Sequence, residues 1–188
     1  MHEKSENKKH HHRGRSSETH LDRSIILKAL NIHSGQVILD AGCGSGYMSK
    51  EFSKLLNNTG KVYALDPDKA TILKLQEETK GTNIQTIVGD IGKKTQIKGA
   101  SVDLIYLSTV FHGFSEHEIE GFQKEVKRLL KPNAVLAVVE FKKIKTPFGP
   151  PLEIRYSPEE LKEAISLKPK SLVEAGAYFY MQNFVNKI

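Results

Sequence analysis

The chain has 188 residues, 38% apolar and 27% charged, the proportions of an ordinary globular domain. Its one cysteine, Cys43, excludes an internal disulfide and any multi-cysteine metal cluster. No apolar run approaches the ~20 residues a membrane span needs, and no signal-peptide core opens the chain, so a cytoplasmic protein is expected. The formal charge of +6 invites nucleic acid as a partner. The basic residues are dispersed, however: Lys4, Lys8, Lys9, Arg13 and Arg15 lie in the first fifteen residues, and most other lysines accompany glutamates on expected helix surfaces. A solvated surface accounts for them, and nucleic acid is not the expected partner.

Residues 1–20 are polar and without periodicity, which reads as a flexible tail. His10, His11 and His12 fall there, and no metal site is assigned to them. One domain is expected over residues 21–188. Its first element is an amphipathic helix over 21–32, with Ile25, Ile26 and Leu30 as the apolar face. A strand at 37–39 leads into a glycine-rich loop, followed by a helix with Phe52, Leu55 and Leu56 at core spacing. A strand at 61–65 and a helix near 68–80 come next, with Gly81 ending the helix. Further strands are expected at 84–88 and 102–107.

The next helix has explicit boundary signals. Ser115 and Glu118 can form a capping box, Ile119, Phe122, Val126, Leu129 and Leu130 make one stripe, and Pro132 stops the pattern. The near-continuous apolar run at 134–141 suits a strand covered on both faces. Ser157, Pro158 and Glu160 announce another helix, and residues 170–186 suit two closing strands turning near Gly176. Strands alternating with helices imply an α/β fold, a doubly wound, mostly parallel sheet with helices on both faces. Ligands of such sheets bind beyond the carboxyl ends of the strands, at the point where strand order reverses. Each candidate residue can therefore be tested by whether it follows a strand.

The loop after the first strand reads Asp40-Ala41-Gly42-Cys43-Gly44-Ser45-Gly46. Glycines at every second position let bare backbone approach a ligand, since no Cβ intervenes. The spacing is not that of a dinucleotide loop, G-x-G-x-x-G, whose third glycine would stand at position 47, here Tyr47. An acid two residues before the first glycine suits a ligand bearing an ammonium or sulfonium group better than a pyrophosphate. Asp66 ends the second strand twenty residues beyond Gly46. A carboxylate there can accept from two neighbouring hydroxyls at once, as a ribose diol requires. Asp90 follows the third strand, where it can accept from an adenine amino group while the backbone N–H of Ile91 donates to a ring nitrogen.

This series resembles the class I S-adenosylmethionine-dependent methyltransferases. More narrowly, it is similar to the small single-domain type related to the ubiquinone/menaquinone biosynthesis methyltransferases. The carriers are the 40–46 loop, Asp66, Gly89-Asp90, the segment 102–108 and the segment 130–135. The resemblance implies a Rossmann-like seven-stranded sheet with an antiparallel last strand. It also implies S-adenosylmethionine as cofactor and S-adenosylhomocysteine as product. The cofactor residues it implies are Asp40, Ala41, Gly42, Gly44, Gly46, Asp66, Pro67, Asp90, Ile91 and Leu107, with Asp40 near the cofactor's amino group. The chain departs from the family in having Asn133-Ala134 where two glycines are frequent.

Methyl transfer from a sulfonium needs alignment more than a catalytic triad, and no triad is visible. The candidate base is His112, after the fourth strand, because an imidazole titrates near neutrality. A role in shaping the pocket or capping the next helix is equally compatible with its position. Glu140 is a weaker candidate, and the segment 146–152 with Tyr156 suits a substrate wall. Leu107-Ser108-Thr109-Val110 stands where amino-methylating enzymes carry Asn/Asp-Pro-Pro-Tyr/Phe, which argues against that chemistry. The expected acceptor is a small molecule. An RNA- or protein-directed enzyme and a non-catalytic cofactor-binding protein are the alternatives.

Overall fold

The computed structural model describes residues 20–187. The expected tail, with His10, His11 and His12, lies outside them. Seven strands form one sheet in the order β3-β2-β1-β4-β5-β7-β6. They are β1 (Val37–Ala41), β2 (Lys61–Asp66), β3 (Ile84–Val88), β4 (Val102–Ser108), β5 (Leu130–Phe141), β6 (Lys168–Glu174) and β7 (Phe179–Val185). Strands β1 to β5 pair in parallel, while β7 runs antiparallel to both β5 and β6. The expected mostly parallel sheet with an antiparallel last strand is what forms. The chain leaves β1 toward β2 and β3, then crosses back to lay β4 on the other side of β1. The strand order therefore reverses between β1 and β4.

Five helices flank the sheet among the described residues: α1 (Arg23–Leu30), α2 (Tyr47–Leu56), α3 (Lys69–Glu78), α4 (Glu116–Leu129) and α5 (Pro158–Ala164). Local signals set their starts. The Asp68 carboxylate accepts from the N–H groups of Ala70 and Thr71, and both expected capping boxes, Ser115–Glu118 and Ser157–Glu160, are formed. Separate apolar clusters form on the two faces. One gathers Phe111, Phe122, Val126 and Leu129 under β4 and β5, and the other gathers Ile26, Met48, Phe52 and Leu56 against Ile38 and Tyr106.

The helix faces differ from expectation in two places. Ile25 and Leu55 are exposed, and the inward stripes are instead Ile26 with Leu27 and Leu30, and Met48 with Phe52 and Leu56. A step of four from Phe52 returns to the same face, and Leu55 stands off that line. Strand β5 begins four residues earlier than expected. Leu130 already pairs with Val102, and the register shifts before Val135 meets Leu104. Asn133 takes a left-handed conformation in this irregular stretch (φ +62°), and α4 ends at Leu129, three residues before Pro132, as a proline stop requires.

Candidate active site

The ends of β1 and β4 meet at the reversal of strand order. Gly42 packs so closely on the β4 exit that a Cβ there would stand 2.6 Å from Val110 Cγ2. The glycine loop is pinned at the same time to the end of β2. The N–H groups of Gly42 and Cys43 both donate to Leu65 O (2.8 and 3.0 Å), and the N–H of Gly44 donates to Asp66 Oδ2 (2.9 Å). All three glycines have positive φ, but their surroundings differ. A Cβ on Gly46 would strike Leu75 Cδ1 at 2.4 Å, whereas one on Gly44 would meet no protein atom within 4 Å. Gly46 is thus required by the protein's own packing, and Gly44 presents bare backbone outward.

Three carboxylates line this edge. Asp40 is buried, and its Oδ2 accepts from Ser49 Oγ at 2.5 Å, tying the first turn of α2 to β1. Asp66 receives a second donor, the Asp68 N–H, on Oδ1 (2.9 Å). Each of its oxygens retains a lone pair beyond these bonds, since a carboxylate offers about four acceptor sites. Asp90 accepts from the Gly92 N–H through Oδ1 (2.8 Å), bending the loop that passes beneath α4. There a Cβ on Gly121 would lie 2.0 Å from Gly92 O, so only glycine lets the helix come this near. Pro67 is exposed beside Asp66. Ile91 is buried, and the side chains of Ala41 and Leu107 are fully buried in the core, which leaves those two only backbone to offer a ligand.

On the β4 side, Thr109 sits at φ +55°, a conformation a β-branched residue adopts only under constraint. Its N–H donates to Val139 O (2.8 Å), and the chain then makes a single 3-10 turn over Phe111–Gly113. His112 lies in this turn, 8% exposed, with Nδ1 2.7 Å from Glu140 Oε2. The other oxygen of Glu140, which is 1% exposed, accepts from the His112 backbone N–H at 3.3 Å. Sequence reasoning weighed both residues as separate candidates and missed the pairing. The signal was an acid embedded in the apolar run 134–141.

Aromatic rings enclose the pair. Phe141 meets the His112 ring edge-on at 6.2 Å, and Phe111 packs on Tyr156 at 5.0 Å. Burial, with Glu140 nearby, pushes the phenols of Tyr156 and Tyr180 above their usual range, so both remain neutral donors. The Tyr180 hydroxyl donates to Tyr156 O (2.9 Å). Cys43 is likewise held as an unreactive thiol by burial, with Asp40 and Asp66 adding to the effect.

The segment beyond β5 is organised by Arg155, which the sequence did not single out. Its buried guanidinium stacks over Phe141 (5.0 Å) and donates to the carbonyls of Lys142, Ile144, Phe148 and Pro150 and to Thr146 Oγ1. A planar fork of five donors suits several acceptors arranged around it. Burial lowers the Arg155 pKa, with Glu140 opposing the shift.

A glycine loop whose middle residue presents bare backbone, with an acid at the end of β2 and another after β3, fits an adenosyl-sulfonium cofactor. The methyltransferase domain family matches residues 38–133, just over half of the chain. The chain belongs to this family. It is similar to the crystal structure of a SAM-dependent methyltransferase from Aquifex aeolicus, with TM-score 0.81 and 28% identity over 90% of this chain and 92% of that one. It is 26% identical to the demethylmenaquinone methyltransferase of Staphylococcus saprophyticus over 129 residues, 66% of this chain and 53% of that protein. It is 32% identical to a Saccharolobus solfataricus protein named "Probable cobalt-precorrin-6B C(15)-methyltransferase (decarboxylating)" over 109 residues, 57% of this chain and 50% of that one. The chain spans about half the length of these curated relatives. No helix among its described residues is long and apolar enough to cross a membrane.

Proposed function

We propose that the protein transfers the methyl group of S-adenosylmethionine to a small-molecule acceptor by in-line displacement. The observation that carries this reading is the close approach of Gly42 to Val110, which brings the glycine loop up against the residue that precedes the His112 turn. When bound, the cofactor supplies an electrophilic methyl whose carbon–sulfur bonding pair returns to sulfur as the acceptor atom attacks.

The chain's own residues supply placement. The outward-facing backbone of Gly44 leaves room for the cofactor's methionyl part. Asp66, already anchored by two N–H donors, receives the ribose hydroxyls through its remaining lone pairs. Asp90 and the Ile91 backbone take the adenine edge. Asp40, at the end of β1, serves the amino group with its carboxylate charge. Pro67, Ala41 and Leu107 contribute through backbone and shape. His112 takes the acceptor's proton, and the 142–154 segment, with Ile144 and Ile154 exposed upon it, offers the acceptor an apolar wall.

Calorimetry with S-adenosylmethionine and S-adenosylhomocysteine should show binding of both. A panel of small acceptors, RNA and unfolded protein, incubated with methyl-labelled cofactor, should return label only in the small molecules. Label in RNA or protein alone would overturn the small-molecule reading. Binding with no product from any class would favour a non-catalytic role. Replacing His112 with alanine should slow turnover on the labelled acceptor by roughly 10²-fold or more, the scale of a lost general base.

A further inference from the structure

We propose that Glu140 is a positioning residue that fixes His112 in one tautomer, proton on Nδ1 and lone pair on Nε2. Both oxygens of Glu140 are engaged with the same residue. Oε2 faces the ring at Nδ1, 2.7 Å away, and Oε1 accepts from the His112 backbone N–H at 3.3 Å. An ionised carboxylate can only accept, so a ring nitrogen at hydrogen-bond distance from it must carry the proton. The second ring nitrogen is then the basic one.

The scaffold behind this clamp is rigid. Glu140 lies in β5 between β4 and β7, paired with Tyr180 across the antiparallel ladder. His112 lies in a turn closed by the Gly113 N–H donating to Val110 O (3.0 Å) and the Phe114 N–H donating to Phe111 O (3.1 Å). Phe141 closes off one side of the imidazole. Placing an acid in this apolar strand is costly without a partner, and the bidentate contact with His112 supplies one.

The inference rests on the methyl-transfer reading for its purpose and deepens it. A ring held with Nε2 unprotonated serves an acceptor that sheds a proton, such as a hydroxyl group. The O–H bond breaks with its electron pair staying on oxygen, the proton passes to Nε2, and oxygen forms the new bond to the methyl carbon. An acceptor that arrives already ionised has no use for such a base.

The test reads the ring directly. The full chain is labelled with 15N-histidine, and its imidazole nitrogens are recorded by NMR at alkaline pH, with His112→Gln assigning the signal. The expected pattern is a protonated Nδ1 and an unprotonated Nε2. A proton on Nε2, alone or together with one on Nδ1, would overturn the proposal. In Glu140→Gln the single amide oxygen cannot serve both donors, so the proton is expected to move to Nε2 or to exchange between the two nitrogens. An unchanged ring in that variant would also sink the idea. Should the variant not fold, the native protein's spectrum decides alone. Calorimetry with S-adenosylhomocysteine on the same samples separates the two readings: failure of the native protein to bind it defeats the methyl-transfer reading, and the ring spectrum still decides the tautomer.

Discussion

The backbone N–H of Gly44 donates to Asp66 Oδ2 at 2.9 Å, joining the glycine loop after β1 to the acid that ends β2. The same carboxylate accepts from the Asp68 N–H and so also shapes the entry to α3. Replacing Asp66 with alanine should therefore weaken S-adenosylhomocysteine binding by roughly 1–3 kcal/mol, the scale of lost charge-assisted bonds. Isothermal calorimetry measures this directly. Undiminished affinity in the variant would remove Asp66 from the ribose assignment.

Two glycines in the same loop should respond differently to alanine. Both Gly44 (φ +49°) and Gly46 (φ +74°) would strain the backbone by about 1–2 kcal/mol. Gly46→Ala must also push against Leu75, an overpacking cost of about 1–3 kcal/mol more. Urea denaturation should thus show the larger loss for Gly46→Ala. Calorimetry should show that Gly44→Ala, despite its milder strain, loses cofactor affinity beyond what its stability change accounts for.

Arg155→Lys should loosen the segment beyond β5 while keeping the charge. A lysine has one nitrogen where Arg155 spreads its donors over four carbonyls and Thr146 Oγ1. A stability loss of about 2–4 kcal/mol is expected, from several bonds each worth about 1 kcal/mol. Limited proteolysis should cut first between residues 142 and 152. Protection of that segment equal to the native protein would contradict the bracing role.

Glu125 gives a pH-dependent prediction away from the site. It is buried in α4 and accepts from Thr95 N, Thr95 Oγ1 and the Arg128 guanidinium at 2.6–2.8 Å. Burial acts to raise its pKa, but the bonds from Arg128 and Thr95 prevail and hold it below the usual carboxylate range. The contribution to stability is therefore present above the ordinary carboxylate pKa and lost as pH falls through the depressed value. Glu125→Gln should cost about 1–3 kcal/mol near neutrality. Denaturation curves of the two proteins should converge in acid; a gap that widens in acid would reverse the assignment. Cofactor affinity should be unchanged at neutral pH.

Much of the fold is legible in local pattern. The capping serines, the positions of β2 and β3 and the strand–loop–helix junction at 40–46 are short-range features, and each is where the spacing places it. The misplacements are equally instructive. Ile25 and Leu55 fit a helical stripe as well as their neighbours do, and only the helix's rotation against the sheet decides which side chain is buried. The start of β5 at Leu130 depends on pairing with Val102, twenty-eight residues away in the chain.

The sequence by itself determined the family and singled out the candidate carboxylates, because glycine spacing and acids after strands are properties of consecutive residues. Only the tertiary structure decided which partners those residues have. Ser49 on Asp40, Asp66 on Gly44, Glu140 on His112 and Arg155 on the 142–150 carbonyls all join segments brought together by sheet order or loop closure. Composition and periodicity carry no record of such contacts, since a buried polar group's partner is set by geometry across the fold. The same geometry separates the three glycines of the loop: a Cβ on Gly42 or Gly46 would strike Val110 or Leu75, and one on Gly44 would stand in open space.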